Sequence, residues 1–198
     1  MKRLKDRLAK GNAAAFTELF DQTSDRLYRY LIARFACPEM VPDIIQEVFM
    51  RLVKHHKNFR TVEHLDGYVF SVARNEAVRA LEKANKHPDG NASVVDVIES
   101  GHEAVVVGND WIQHQMNQLS ESDQEIIQLK IFGGLTFEEI ASAISMPCNS
   151  VSTRYRRAIL QLKAKIEKSK DNPVRSSRET ETDEMQNIRN GCKQTDEK

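Results

Sequence analysis

The chain has 198 residues, and 29 Lys and Arg balance 29 Asp and Glu, so the formal net charge is zero. That length admits one large or two small domains. The even balance excludes any case for nucleic-acid binding from global charge, so only local asymmetry can carry one. Cys37, Cys148 and Cys192 are odd in number and far apart, with no CxxC pair and no zinc-spaced His/Cys cluster, which argues against a disulfide framework or a zinc site and fits a reducing compartment.

Met1-Lys2-Arg3 is basic, but no apolar stretch follows it, so no signal peptide is expected. No run approaches a membrane-spanning length either, and the expectation is a soluble, cytoplasmic protein without a membrane span. Asn12 is placed to cap a helix reaching about Phe35, with Phe16, Leu19, Phe20, Leu27, Tyr30 and Leu31 as its core stripe. Cys37-Pro38 ends it. Pro42 and Asp43 start the next helix, in which Ile44, Ile45, Val48, Phe49, Leu52 and Val53 face inward. Asp43, Gln46, Glu47 and Met50 lie toward the other side. Asp43 and Glu47 stand one turn apart, which suits either compensation of the helix dipole or a protein-docking face.

Residues 54–64 form a polar connection containing Asn58, Phe59 and Arg60. An aromatic ring between an amide and a guanidinium suits stacking on an unpaired base. It also suits the commoner case, an ordinary loop plugged into a core by its phenylalanine. His55, His56 and His64 are near one another in sequence, but adjacent helical positions diverge by about 100°, so no metal is expected. A third helix follows from Leu65 to about Lys86. Leu65, Val69, Val72, Ala73 and Leu81 face its core, and Tyr68, Arg74, Asn75, Arg79, Lys83 and Lys86 form a polar, partly basic side. The run His87-Pro88-Asp89-Gly90-Asn91 stops it by turn chemistry.

Residues 88–118 contain no Lys or Arg, and the part up to 110 reads as an acidic linker with little fixed structure. Trp111, Ile112 and Met116 suggest a helix, and Ser120 caps another that Gly133-Gly134 ends. From Thr136 to Leu162 the sequence predicts two helices joined by a tight turn. Thr136 and Glu139 fit a capping box, Phe137, Ile140, Ala141 and Ile144 recur at helical spacing, and Pro147 breaks the run but is tolerated at the start of the second helix. In that second helix Val151, Tyr155, Ala158, Ile159 and Leu162 share one face. Ser150, Thr153, Arg156 and Arg157 point away, with Arg154 at the edge. An apolar inner face under an outer face of hydroxyls and arginines suits a helix laid in a DNA major groove. From Val151 to Lys170 seven basic residues face Glu167 alone, so the charge that the whole chain cancels is concentrated here. The composition after Lys170 predicts a disordered tail.

The expected fold class is all-α, with two small helical domains, 1–88 and 111–170, joined by a flexible acidic linker, 89–110, and followed by the tail 171–198; the second domain is a helix-turn-helix. No nucleophile–base–orienter set and no glycine-rich phosphate loop is visible, so neither catalysis nor a cofactor is expected.

With these stretches laid out, the chain resembles the sigma-70 family of RNA polymerase sigma factors, specifically the small extracytoplasmic-function type. The resemblance rests on DIIQEVFMRL (43–52), DGYVFSVARNEAVRAL (66–81) and LSESDQEIIQLKIFGGLTFEEIASAISMPCNSVSTRYRRAILQLK (119–163). The first two look like the family's region 2 and the third like its region 4. The resemblance implies a promoter-specificity subunit that binds core RNA polymerase and promoter DNA, with an anti-sigma protein as a further partner in many members. It assigns polymerase binding to Asp43, Gln46, Glu47 and Arg51. It assigns the −10 element to Asn58, Phe59, Arg60, Tyr68, Arg74, Asn75 and Arg79. The −35 element falls to Ser150, Ser152, Thr153, Arg154, Arg156 and Arg157. Three positions depart from the family's habit: Tyr68 stands where Trp is usual, Ser145 where the turn has glycine, and Ser152 where a basic residue is common. Two other readings of the residues stay open, a stand-alone helix-turn-helix regulator and a helical polymerase-binding adaptor.

Overall fold

The computed structural model describes residues 2–35, 37–86 and 110–170, and the regular structure among them is wholly helical. The helices are α1 (Lys2–Ala9), α2 (Ala13–Phe35), α3 (Val41–Lys54), α4 (Leu65–Lys86), α5 (Asp110–Asn117), α6 (Glu121–Ile131), α7 (Phe137–Ile144) and α8 (Cys148–Lys170). Short 3-10 turns at Pro38–Met40 and His56–Arg60 flank α3. The expected tail and the expected linker lie outside the described residues, except for Asp110, which opens α5.

The caps read from the sequence are in place. Asn12 accepts the Ala15 N–H at 3.0 Å, and Gly11, at φ +73, supplies the left-handed residue that turns the chain out of α1. The side chain of Ser120 accepts the Asp123 N–H. Thr136 and Glu139 make the reciprocal capping box, with the Glu139 carboxylate accepting the Thr136 N–H at 2.7 Å. Ser145 adopts the left-handed conformation that closes α7, and its N–H returns to the Ala141 carbonyl.

Helix α1 goes beyond the sequence reading. Its only apolar side chains of any size, Leu4 and Leu8, lie one turn apart and are both buried, and Lys5 Nζ donates to the carbonyls of Val62 (2.6 Å) and Glu63 (3.2 Å). This helix thereby braces the loop that joins α3 to α4.

Two expected core residues face outward instead. Phe20 and Val53 are each nearly half exposed. On α3 the positions 45, 49 and 53 form an i, i+4 row, and each such step rotates about 40° away from the starting direction, so a row that begins buried at Ile45 ends in solvent at Val53. The Phe20 ring rests edge-on against Phe49, with centroids 4.9 Å apart.

The described residues up to Ala158 form one compact unit, and a second unit begins at Ile159. Within the first, helices from both halves of the sequence share one core. Leu19, Leu27, Leu31 and Leu52 meet Phe70, Ile126, Leu129, Leu135, Ile140 and Val151 in a single buried cluster. Helix α4 is accordingly buried on more than the face expected of it. Phe70 and Ala77 are fully buried beside Val69 and Ala73, because α7 packs along α4 opposite α3. This close approach depends on Gly67. A Cβ there would lie 2.6 Å from the Glu139 carbonyl oxygen.

Candidate nucleic-acid interface

The α7–turn–α8 pair holds its second helix with one side in the core and one side free. Val151 and Ala158 are buried, and Tyr155 sets its ring 5.5 Å from that of Phe137. Ser150, Thr153, Arg156 and Arg157 are exposed, Arg154 and Ser152 are half-buried, and the Ser152 hydroxyl donates to the Asn149 carbonyl. The inner and outer faces read from the sequence are therefore the ones observed. Asp123 sits in the first turn of α6. Its carboxylate is buried and draws in two of the arginines, Arg157 Nη2 at 3.1 Å and Arg154 Nε at 3.7 Å.

The residues expected at the −10 strand separate into two places. Asn58 and Arg60 are exposed on the 3-10 turn, and Asn58 Nδ2 donates to the Tyr68 hydroxyl at 3.3 Å. Phe59 between them is only 1 % exposed, with its ring 6.0 Å from Phe16 and 5.6 Å from Tyr68. Of the two uses for that aromatic, the structure shows the plug: the ring fixes the loop to α2 and α4. Arg74 lies apart from these residues and faces α6, where its Nε donates to Glu125 Oε1 at 2.6 Å. The same oxygen accepts the Tyr30 hydroxyl at 3.3 Å. Burial, reinforced by the Glu125 charge, raises the Tyr30 phenol well above the ordinary tyrosine value, so it remains a protonated donor. Asn75 is exposed.

On α3 the residues expected to meet polymerase are Asp43, Gln46 and Glu47, all exposed, and Arg51, which is half-buried. Arg51 Nε pairs with Glu76 of α4, and Arg79 Nη1 reaches the same Glu76 oxygen at 2.6 Å. One buried carboxylate thus ties a residue of the expected polymerase face to a residue of the expected −10 face. Beside Gln46 runs an open apolar groove between α2 and α3, lined by Phe20, Tyr28, Ile45, Phe49, Met50 and Val53, in which Met50 is 57 % exposed. No group of three or more His, Cys, Asp or Glu side chains among the described residues is arranged to hold a metal ion. No helix among them is long and apolar enough to cross a membrane.

Sequence reasoning missed Glu76, Asp123, Glu125 and Arg26. Arg26 donates to the Gly133 carbonyl (2.7 Å), pairs with Asp66 (2.7 Å) and lies over the Phe70 ring. Glu76 had a local signal, since Arg79 sits three residues on. The other three act across more than 30 residues of sequence, and no periodicity announces such partners.

A helical protein whose described residues present a capped helix-turn-helix with cations on its outer side belongs to the class built to lay a helix on duplex DNA. Residues 19–87 match the family described as Sigma-70 region 2, and residues 109–162 match Sigma-70, region 4. The ECF RNA polymerase sigma-E factor of Escherichia coli K12 is 26% identical over 169 residues, covering 78% of this chain and 88% of the relative. The ECF RNA polymerase sigma factor BldN of Streptomyces coelicolor is 25% identical over 170 residues, covering 82% and 64%. Two solved structures share the fold at 18% identity. CnrH in complex with the cytosolic domain of CnrY gives a TM-score of 0.60 over 83% of this chain and 95% of the other. The sigma factor RpoE in complex with the anti-sigma factor NepR from Bartonella quintana gives 0.53 over 77% and 96%. The chain belongs to the sigma-70 family, among the ECF sigma factors. It is a promoter-recognising sigma factor, with core RNA polymerase and promoter DNA as the partners its family domains imply. Sigma factors are not enzymes.

Proposed function

We propose that the two family segments divide the work by residue, with no catalysis of the chain's own. Helix α3 meets core RNA polymerase through Asp43, Gln46, Glu47 and Arg51, with the apolar groove of Phe20, Tyr28 and Met50 alongside. The loop and α4 hold the parted −10 strand, through Asn58 and Arg60 first, then Tyr68, Arg74, Asn75 and Arg79. Phe59 reaches a flipped base only if its ring turns out of the core. The α7–α8 pair reads and clamps the −35 duplex through Ser150, Ser152, Thr153, Arg154, Arg156 and Arg157. Residues 1–88 and 111–170 act as the two modules, the chain works in the cytoplasm, and an anti-sigma protein is a further partner, as in the two complexes above.

The observation that carries this reading is the outer face of α8, where exposed hydroxyls and guanidiniums stand over a helix held firmly from beneath. Phosphate contacts supply affinity there and base edges supply specificity. Run-off transcription on the protein's own genomic DNA, with core polymerase, tests it. Arg157→Ala should lose at least tenfold in initiation while still assembling with core. Charge reversal at Asp43 and Glu47 should impair assembly first. Initiation unchanged by Arg157→Ala, or assembly unchanged by the reversal, would remove the corresponding assignment.

A further inference from the structure

We propose that Asp123 is a positioning residue for duplex reading: its buried carboxylate holds Arg154 and Arg157 against α6 and leaves Ser150, Thr153 and Arg156 to meet the base edges. The inference rests on the assignment of α8 to the −35 duplex. It starts from a convergence. Arg154 and Arg157 are three residues apart, so they leave α8 on the same side, and both heads turn back to one carboxylate on a different helix. Asp123 is 6 % exposed at the side chain, where an unpaired charge is costly, so the two guanidiniums have a strong local reason to stay. Its Oδ1 is buried and lies 3.7 Å from Arg154 Nε, beyond ordinary hydrogen-bond length.

Two consequences follow for a duplex. First, tethering at two points one turn apart fixes the rotation of α8 about its axis. Arg157 is 57 % exposed on the same face, but with its head and that of Arg154 turned to Asp123, Ser150, Thr153 and Arg156 are the exposed side chains left to point away from the protein. Second, a carboxylate between two guanidiniums offsets part of their charge. Sequence-independent attraction to phosphates is then weaker than the cation count suggests, and discrimination gains relative to bulk affinity.

The test uses the full chain assembled with core polymerase. Duplexes that the wild-type holoenzyme enriches from its genomic DNA are compared with shuffled duplexes of the same composition, by anisotropy across a salt series. Asp123→Asn keeps the shape and removes the charge. It should lower the enriched-to-shuffled affinity ratio at least tenfold, leave shuffled binding equal or tighter, and steepen the salt slope by about one phosphate contact. Equal loss on both duplexes would mark Asp123 as a fold residue only, and no change would show that the pairing is idle; either overturns the proposal. Base preference supplies a second readout that does not require Asp123→Asn to fold. Arg156→Ala or Thr153→Ala should change which base is preferred at one or two positions, whereas Arg157→Lys, which loses the fork that pairs with Asp123, should weaken binding to the enriched duplex without moving the preferred base at any position. The reverse pattern would sink the assignment. A wild-type holoenzyme that enriched no duplex would overturn the −35 assignment itself, and this inference with it.

Discussion

Ser145 is the only non-glycine residue with positive φ among the described residues, at φ 54 and ψ 46, and it forms the turn between α7 and α8. A side chain in that region costs about 1 kcal/mol relative to glycine, which the same backbone accommodates freely. Part of that cost is recovered because serine loses less backbone freedom on folding. Ser145→Gly should therefore stabilise the protein by roughly 0.5 kcal/mol, and a thermal melt should shift upward by about 1–2 °C. A downward shift would mean that the serine hydroxyl contributes something its backbone does not show. A second expectation concerns Tyr30. Its phenol is raised by burial and by Glu125, so the folded state keeps a proton that the unfolded chain releases above its ordinary value of 10.0. Stability from this group is fully present below pH 10 and is lost as pH rises beyond it. Tyr30→Phe should melt at a lower temperature at pH 8 but lose less between pH 10 and about 11, a difference that chemical denaturation at each pH measures. Equal alkaline slopes in the two proteins would refute it.

At the scale of elements, the helix ends were the most legible part of the sequence. Asn12, Ser120 and the Thr136–Glu139 box are local devices, complete within four residues, and each is made as read. Removing the Thr136 hydroxyl leaves the Glu139 N–H without its side-chain acceptor, so Thr136→Ala should cost about 1 kcal/mol. Since α7 is a single helix of eight residues, the loss should appear first as faster amide exchange in residues 137–141. Unchanged exchange there would show that packing alone holds the helix start. The outward face of α8 was equally readable, because a 3.6-residue period sorts Val151 and Ala158 from Thr153 and Arg156. Two other features were not readable. Helix α1 buries only Leu4, Leu8 and the small Ala9, too little for a period to register, and it exists because the 56–60 loop receives it. The buried faces of α4 and α6 were underread for a related reason. Glu76, Asp123, Glu125 and Gln128 look like solvent-facing residues until a partner from a distant segment covers them; Gln128, for one, donates to the Ala33 carbonyl at 2.9 Å.

At the scale of the whole unit, the central fact is that the two family segments bury one core in common. Tyr30 and Arg74 meet Glu125, Arg26 meets Gly133, and Phe70 comes close enough to Gly133 that a Cβ there would lie 3.0 Å from its ring. Gly67 gives this arrangement a test in which the two possibilities have opposite signs. It lies in the first turn of α4, and for a helix with nothing against it Gly→Ala is favourable by up to about 1 kcal/mol. Against α7, however, the added Cβ would sit 2.6 Å from a backbone carbonyl and 3.1 Å from Ser142 Cβ. The carbonyl belongs to Glu139, inside the α7 hydrogen-bond ladder, so it cannot rotate aside as a flexible side chain would. Helix α7 must retreat along its contact with α4, and overpacking of this kind costs about 1–3 kcal/mol. The steric term exceeds the propensity gain over most of that range, so Gly67→Ala should lower the melting temperature by a few degrees. The larger Gly67→Val should separate the melt into two transitions, one for each segment. A Gly67→Ala protein that melts higher than the parent would show that α4 and α7 are apart in solution, and the shared core would then have to be given up.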